Sequence, residues 1–248
     1  MKNEQILQNE EYEYPYHYIP QYRGGFSQTY NWIWGRNYIS AIEFILGEIK
    51  KDSKSIKSIV DVGCGDGRLT KELAFEFENK YIAGYDYSKK AIDLAKAINP
   101  NLNFTEKNII NDIATEQFDA ISLVEVFEHI PLENCDGFVK GLVKLLNKNG
   151  LVYLTVPHKN KPVSEKHFQH FSYKTLTDYF ENDFKVEEVV FFDKLTKWNR
   201  VFNLILVNKL FILNSRYLNN LIFKIYKKYF FVAKEKNCGR IYLKLSKK

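Results

Sequence analysis

From Trp32 to Ile49, apolar residues recur at helical spacing (Trp32, Ile39, Ile42, Ile45, Leu46, Ile49), which predicts one amphipathic helix. Before it, many aromatics, Pro15, Pro20 and the pair Gly24–Gly25 predict an irregular N-terminal arm over 1–30 rather than a strand or a long helix. A polar connector, Lys50–Lys57, follows, and then the period of the pattern begins to switch. Short apolar runs at Ser58–Val62, Tyr81–Tyr85, Leu102–Glu106, Ala120–Val124 and Leu151–Val156 read as strands. Helical patterns at Arg68–Glu78, Lys89–Ala97 and Cys135–Leu146 lie between them. Thr175–Phe180 reads as a further helix, and Lys185–Phe191 and Arg240–Leu245 as the last two strands, a hairpin-like edge. Alternation of this kind predicts an α/β fold, doubly wound, with a mostly parallel sheet and helices on both faces.

Composition allows such a core. The chain has 248 residues, 45% hydrophobic and 27% charged, which suits one α/β domain of ordinary size and excludes a disordered chain. The three cysteines, Cys64, Cys135 and Cys238, are widely spaced and form no C-x-x-C pair. They predict a reducing, cytoplasmic setting and argue against a disulfide framework or a thiolate zinc site. The first residues include acidic ones and lack the apolar stretch of an export signal.

Charge is unevenly placed. The net charge is +6, yet 194–234 contains nine Lys or Arg and no Asp or Glu, leaving −3 on the remainder. Phe202–Phe231 also lacks Pro and Gly and is rich in bulky apolar residues. Its apolar runs are broken by Asn208 and Lys209 well before the roughly 20 residues a membrane span needs, so it reads as an inserted helical segment.

The most informative stretch is Ser58–Thr70, SIVDVGCGDGRLT. A buried strand enters Gly63-Cys64-Gly65-Asp66-Gly67, and a helix follows. Glycines there permit a sharp turn and close backbone approach to a ligand, while the helix start presents free N–H groups. Asp86 ends the second strand about twenty residues later, where a carboxylate can accept ribose hydroxyls. A dinucleotide fingerprint would require a further glycine where Arg68 stands, and the acidic Asp66 suits a cationic ligand better than a pyrophosphate.

These features resemble the class I S-adenosylmethionine-dependent methyltransferases, over roughly Trp32 to Leu245. The resemblance implies a Rossmann-like, seven-strand sheet and S-adenosylmethionine as cofactor. It implies cofactor contacts from Asp61, Gly63, Cys64, Gly65, Asp66, Asp86, Tyr87, Asn108 and Glu125, with Tyr87 beside the adenine. Asn108 stands where the family usually has an Asp; its amide still offers an acceptor oxygen.

Four of the five histidines lie between His129 and His170. SLVEVFEHIP places Glu125, Glu128 and His129 at i, i+3 and i+4, on one face if a helical turn begins at Glu125. VPHKNKPVSEKHFQHFS adds His158, His167 and His170 after the fifth strand, also at the carboxyl edge of the sheet, where such folds bind ligands. One reading makes the Glu128–His129 pair part of the fold, lining the cofactor pocket. The other is a divalent metal (Mn, Fe, Co or Zn) on Glu125, Glu128, His129 and His167, since mixed Glu/His ligation suits those ions better than Mg²⁺. E-V-F-E-H with a downstream His is similar to the pattern of small-RNA 3′-terminal 2′-O-methyltransferases, on which His167 rather than His170 matches the ligand. Without metal, His129, His167 or His170 would serve as general base.

The expectation is therefore an O-methyltransferase acting on a hydroxyl of a sugar, glycan precursor or other small molecule, with an RNA-terminal enzyme as the alternative. A binding-only protein with a decayed fold ranks last, because the cofactor loop is intact. The organisation expected is an arm or lid over 1–30, a methyltransferase domain over 31–193 and 235–248, and a basic apolar insert over 194–234. In the arm, Tyr16, His17, Tyr18, Tyr22 and Arg23 either close over the acceptor site as a lid or pack on the domain surface. The insert is expected to cap the acceptor pocket, its lysines drawing in an anionic acceptor; a second subunit and an anionic membrane surface are the competing covers.

Overall fold

The structure, a computed structural model, describes residues 3–20, 23, 25, 32–113, 116–198, 201, 204 and 215–248. A short helix, α1 (Asn3–Glu10), opens the chain, and two single 3₁₀ turns at Glu11–Glu13 and Tyr16–Tyr18 continue the arm. The arm is thus less irregular than its prolines and glycines imply. Helix α2 (Trp32–Asp52) follows, then β1 (Ser58–Val62), α3 (Arg68–Glu76), β2 (Tyr81–Asp86), α4 (Lys89–Ile98), β3 (Asn103–Glu106) and β4 (Phe118–Val124). The second half runs α5 (Cys135–Leu145), β5 (Leu146–Pro157), α6 (Tyr173–Phe180), β6 (Phe184–Phe192), α7 (Arg216–Tyr229) and β7 (Arg240–Lys247). In the expected inserted segment, 199–200, 202–203 and 205–214 lie outside the described residues.

Seven strands form one sheet in the order β3-β2-β1-β4-β5-β7-β6. All pairings are parallel except those of β7, which runs antiparallel between β5 and β6. The fold is doubly wound α/β with a mostly parallel seven-strand sheet. The β5 strand begins at Leu146, five residues earlier than its apolar run, because Leu146 pairs with Phe118 ahead of a register shift in β4.

Successive strand residues serve opposite faces, as the pleat requires. Val60, Ala83, Ile121, Leu154 and Ile241 join one core with α5 and α6, through side chains such as Phe138, Leu142, Leu176 and Phe180. Their neighbours Ile59, Ile82, Ala120, Tyr153 and Tyr242 join the other, against α2, α3 and α7. Each fully buried Leu, Ile or Phe contributes about 1.5–3 kcal/mol, so the two faces anchor the helices and with them the loops at the carboxyl edge. Side-chain caps set the helix starts: Ser88, Ser172 and Ser215 each accept an N–H from the first turn.

Among the described residues, no helix is long and apolar enough to cross a membrane.

Candidate active site

The turn after β1 is built from left-handed backbone. Gly63, Gly65 and Gly67 have φ of +74°, +54° and +81°. A Cβ at Gly63 would sit 2.4 Å from Val126 Cγ2, so the first glycine is required by both conformation and space. The loop is tied to the next strand: the N–H groups of Gly63 and Cys64 both donate to the Tyr85 carbonyl, at 2.7 and 3.0 Å. Asp86 completes the tie, one carboxylate oxygen accepting from Gly65 N at 3.0 Å and the other from Ser88 N at 2.9 Å. Burial nonetheless raises the Asp86 carboxyl above the usual range.

A cavity opens at this edge of the sheet, walled by Gly63, Asp86, Tyr87, Asn108, Glu125 and His129, with Tyr85, Ile109, Val126 and Phe138 as apolar lining. Five of the nine sequence-nominated cofactor residues are therefore brought together there. The other four are elsewhere. Asp61 lies beneath the loop, accepting from Thr70 Oγ1 at 2.7 Å and Ser122 Oγ at 3.1 Å, and burial pushes its carboxyl up to about 7. Cys64 packs into a small cluster with Ile92, Ala95 and Phe104. Gly65 is covered by the Tyr12 hydroxyl, which a Cβ there would approach to 2.9 Å. Asp66 faces the arm: His17 N donates to Asp66 Oδ2 at 3.3 Å, and His17 Nδ1 lies 3.0 Å from the same oxygen. A sequence shows that these residues occupy the loop but not which way its left-handed turns aim their side chains.

The arm reaches the cavity with residues the sequence did not single out, Gln5, Gln8 and Tyr12. The ones it did single out pin the arm instead. Arg23 pairs with Glu72 at 2.7 Å, Arg68 donates to the carbonyls of His17 and Pro20, and Tyr18 accepts from Asn99 Nδ2 at 2.7 Å. Tyr16 and His17 pack near Trp34. Tyr22 lies outside the described residues.

Glu125, expected to begin a helical turn, instead has φ +57°, and the turn that follows is a 3₁₀ turn at Phe127–His129. This corrects the expected common face of Glu125, Glu128 and His129. The Glu125 carboxylate accepts from Thr155 Oγ1 at 3.0 Å and lies 3.9 Å from Arg240 Nη1. A left-handed non-glycine residue is strained backbone of the kind that collects at functional sites.

Glu128, His129 and His167 do converge: each can offer one ligand atom, all within 4.8 Å of one another. A backbone bond from Phe168 N to Glu128 O, 2.9 Å, joins the two segments. The Glu128 side chain is fully buried, and neither carboxylate oxygen finds a hydrogen-bond partner. Burial, then the nearby Glu125, raises its pKa well above the ordinary value.

Hydrogen bonds fix the tautomers of the histidines. His129 Nδ1 lies 2.9 Å from the Lys166 carbonyl, which only accepts, so Nδ1 carries the proton and Nε2 the lone pair. His170 Nδ1 likewise donates to the Lys161 carbonyl at 3.0 Å. Its Nε2 then accepts from His167 Nδ1 at 2.7 Å, leaving the lone pair of His167 on Nε2. Burial lowers His129 to about 4, and burial followed by the charges of His129 and His170 lowers His167 to about 3. Both rings are neutral at neutral pH. The arrangement offers two imidazole lone pairs and one carboxylate, a ligand set for a borderline divalent cation, with His170 holding one ligand from behind.

The order of strands, the glycine turn and the acidic end of β2 make up a Rossmann-like α/β fold of the kind that class I methyltransferases share. Comparison with known proteins agrees. Residues 60–152 match the family model described as "Methyltransferase domain". It is 33% identical over 113 residues to the ubiquinone biosynthesis O-methyltransferase of Coxiella burnetii, covering 40% of this chain and 47% of that one. The protein of the same description from Pelagibacter ubique is 29% identical over 120 residues, covering 45% and 48%. The matched regions span about half the length of these relatives. Among solved structures, magnesium protoporphyrin IX methyltransferase from Synechocystis superposes with a TM-score of 0.61 at 13% identity, covering 100% of this chain and 98% of that one. An N-methyltransferase from Bradyrhizobium japonicum, in complex with S-adenosylhomocysteine, gives 0.57 at 13% identity, covering 84% and 87%. At such identities the likeness is one of fold.

Proposed function

We propose that the protein transfers a methyl group from S-adenosylmethionine to a hydroxyl of a small molecule, with a divalent cation held by Glu128, His129 and His167 beside the cofactor cavity. The observation that carries this reading is the buried Glu128 carboxylate, which has no hydrogen-bond partner among the described residues and lies within 4.8 Å of ligand atoms on His129 and His167, whose Nε2 atoms carry the lone pairs. The O-methyltransferase descriptions of the sequence relatives support the hydroxyl acceptor. Sugars and glycan precursors remain the expected class, in the cytoplasm.

In this reading Asp86 accepts the ribose hydroxyls with the lone pairs that Gly65 N and Ser88 N leave open. Tyr87 and Asn108 flank the adenine; Asn108 Oδ1 already accepts from Ile110 N at 3.1 Å, which steadies the amide. Tyr12, Gln5 and Gln8 close the cavity from the arm side and exclude water. His170 keeps the His167 proton on Nδ1. Glu128, His129 and His167 would hold the cation, which would supply Lewis-acid lowering of the acceptor hydroxyl's pKa. Glu125 contributes a cavity wall near that point and is not assigned as a ligand.

The test is methyl transfer from labelled S-adenosylmethionine to a panel of catechols, sugars, nucleotide sugars and short RNA, before and after exhaustive chelation. Loss of turnover on chelation and recovery with Mn²⁺ or Co²⁺ is expected. Full activity without metal would remove the cation and return the proton transfer to a histidine; exclusive labelling of RNA ends would shift the acceptor class.

A further inference from the structure

Helix α7 turns one face inward and leaves another uncovered. Ile222, Phe223 and Tyr226 pack into the core shared with α2 and the sheet. Tyr217, Leu221, Ile225 and Tyr229, spaced four apart, are exposed along the opposite side, Tyr217 by 80% and Tyr229 by 58%. Val232, 66% exposed, extends the stripe past the helix end.

The helix is held firmly in this orientation. Ser215 caps its start, the Tyr226 hydroxyl bonds the buried Asp193, which Arg240 also bonds, and the Arg36 guanidinium lies 4.0 Å over the Tyr226 ring. Turning the stripe inward would break that network, so it faces solvent by construction.

Beside the stripe, Lys224, Lys227 and Lys228 line a shallow groove. Lys227 pairs with Glu43 at 3.0 Å. No Asp or Glu occurs anywhere from 194 to 234. The surface is apolar and cationic at once, so its partner must be apolar and anionic at once. A second copy fails this requirement, because a two-fold contact would set lysines against lysines. A bilayer carrying anionic headgroups meets it: phosphates lie against the lysines, while the tyrosine and aliphatic side chains enter the headgroup boundary.

We propose that α7 docks the protein on the surface of an anionic phospholipid bilayer, as an interfacial helix that does not cross it. This stands apart from the assignment of the methyl acceptor. The surface lies on the α2 side of the sheet, and no described residue of 215–234 lines the cofactor cavity; the expectation that the 194–234 insert caps the acceptor pocket falls partly on residues outside those described.

Co-flotation with vesicles tests the proposal, using phosphatidylcholine alone and phosphatidylcholine with phosphatidylglycerol. The protein should partition to the anionic vesicles at least tenfold more than to neutral ones, and raised salt should release it. Lys224→Gln with Lys228→Gln should weaken partitioning roughly 25-fold, at about fivefold per charge. Leu221→Ser with Ile225→Ser should weaken it at fixed salt, while circular dichroism and cofactor binding stay unchanged. Equal binding to both vesicle types, no flotation, or variants that float like the parent would overturn the proposal. Light scattering that shows a dimer split by the Leu221/Ile225 variant would assign the stripe to a second copy instead.

Discussion

Two buried acidic regions lie a few residues from the same cavity and differ in how their charge is managed. On the glycine-loop side, Asp61 and Asp86 are each held by two donors, so both act as struts, one beneath the turn and one across it. On the histidine side, Glu128 is as deeply buried and has no hydrogen-bond partner. An unsatisfied buried carboxyl costs on the order of 1–3 kcal/mol, which a folded chain retains where a ligand compensates it. The difference separates carboxylates that shape the site from one that the proposed cation would compensate.

The largest expected effect breaks the comparison if it fails. Glu128→Gln and His167→Ala should each lower turnover at least a thousandfold and abolish Mn²⁺ binding by calorimetry. The two should diverge in stability: replacing the buried Glu128 carboxyl, which has no hydrogen-bond partner, should leave the metal-free melting temperature equal or higher. A Glu128→Gln protein that melts lower and still binds Mn²⁺ would make this carboxyl a strut like the others.

Next comes the pH dependence of stability. Asp61 is raised to about 7 in the folded protein, against 3.8 ordinarily. Between those values the folded state keeps a proton that the unfolded state has released, so stability falls as pH rises through that window. The total is up to about 4 kcal/mol, at 1.36 kcal/mol per pH unit. Asp61→Asn, which keeps both hydrogen-bonding neighbours, should flatten this slope in urea titrations at pH 4.5 and 7.5. An unchanged slope would show that Asp61 is ionised in place.

Smaller in scale is cofactor affinity. Asp86→Ala should weaken S-adenosylhomocysteine binding by about 1.5–3 kcal/mol, the value of charge-assisted hydrogen bonds to a ribose. Unaltered calorimetric affinity would place the cofactor elsewhere. The smallest effect sharpens the histidine side: His170→Ala should reduce metal affinity about 10- to 100-fold without abolishing it, as loss of an outer hydrogen bond does. His170→Gln, whose amide can accept from His167 Nδ1, should recover part of that loss. If His170→Ala binds metal like the parent, the relay through Lys161 O contributes nothing.

What the sequence by itself determined is the part written in periods and in glycine. The switch from helical to alternating spacing marked the seven strands and helices α2 to α6 to within about five residues, because burial on a pleat or a helix face imposes those periods, whereas α1 carried no such signal and α7 was read only as part of a longer segment. The turn at Gly63–Gly67 and the acid at Asp86 were legible for a similar reason: left-handed backbone and close approach leave few substitutes for glycine. Tertiary structure decided where side chains aim once the backbone leaves a regular period. At Glu125, a positive φ and a 3₁₀ turn separated a carboxylate from the pair it neighbours in sequence, while a loop 38 residues on brought His167 to that pair. At Asp66 the turn pointed the acid to His17, and Tyr12 reached the cavity from an arm with no motif to announce it. Those contacts join positions far apart in the chain, where no local spacing carries information, and only packing of the two sheet faces settles them.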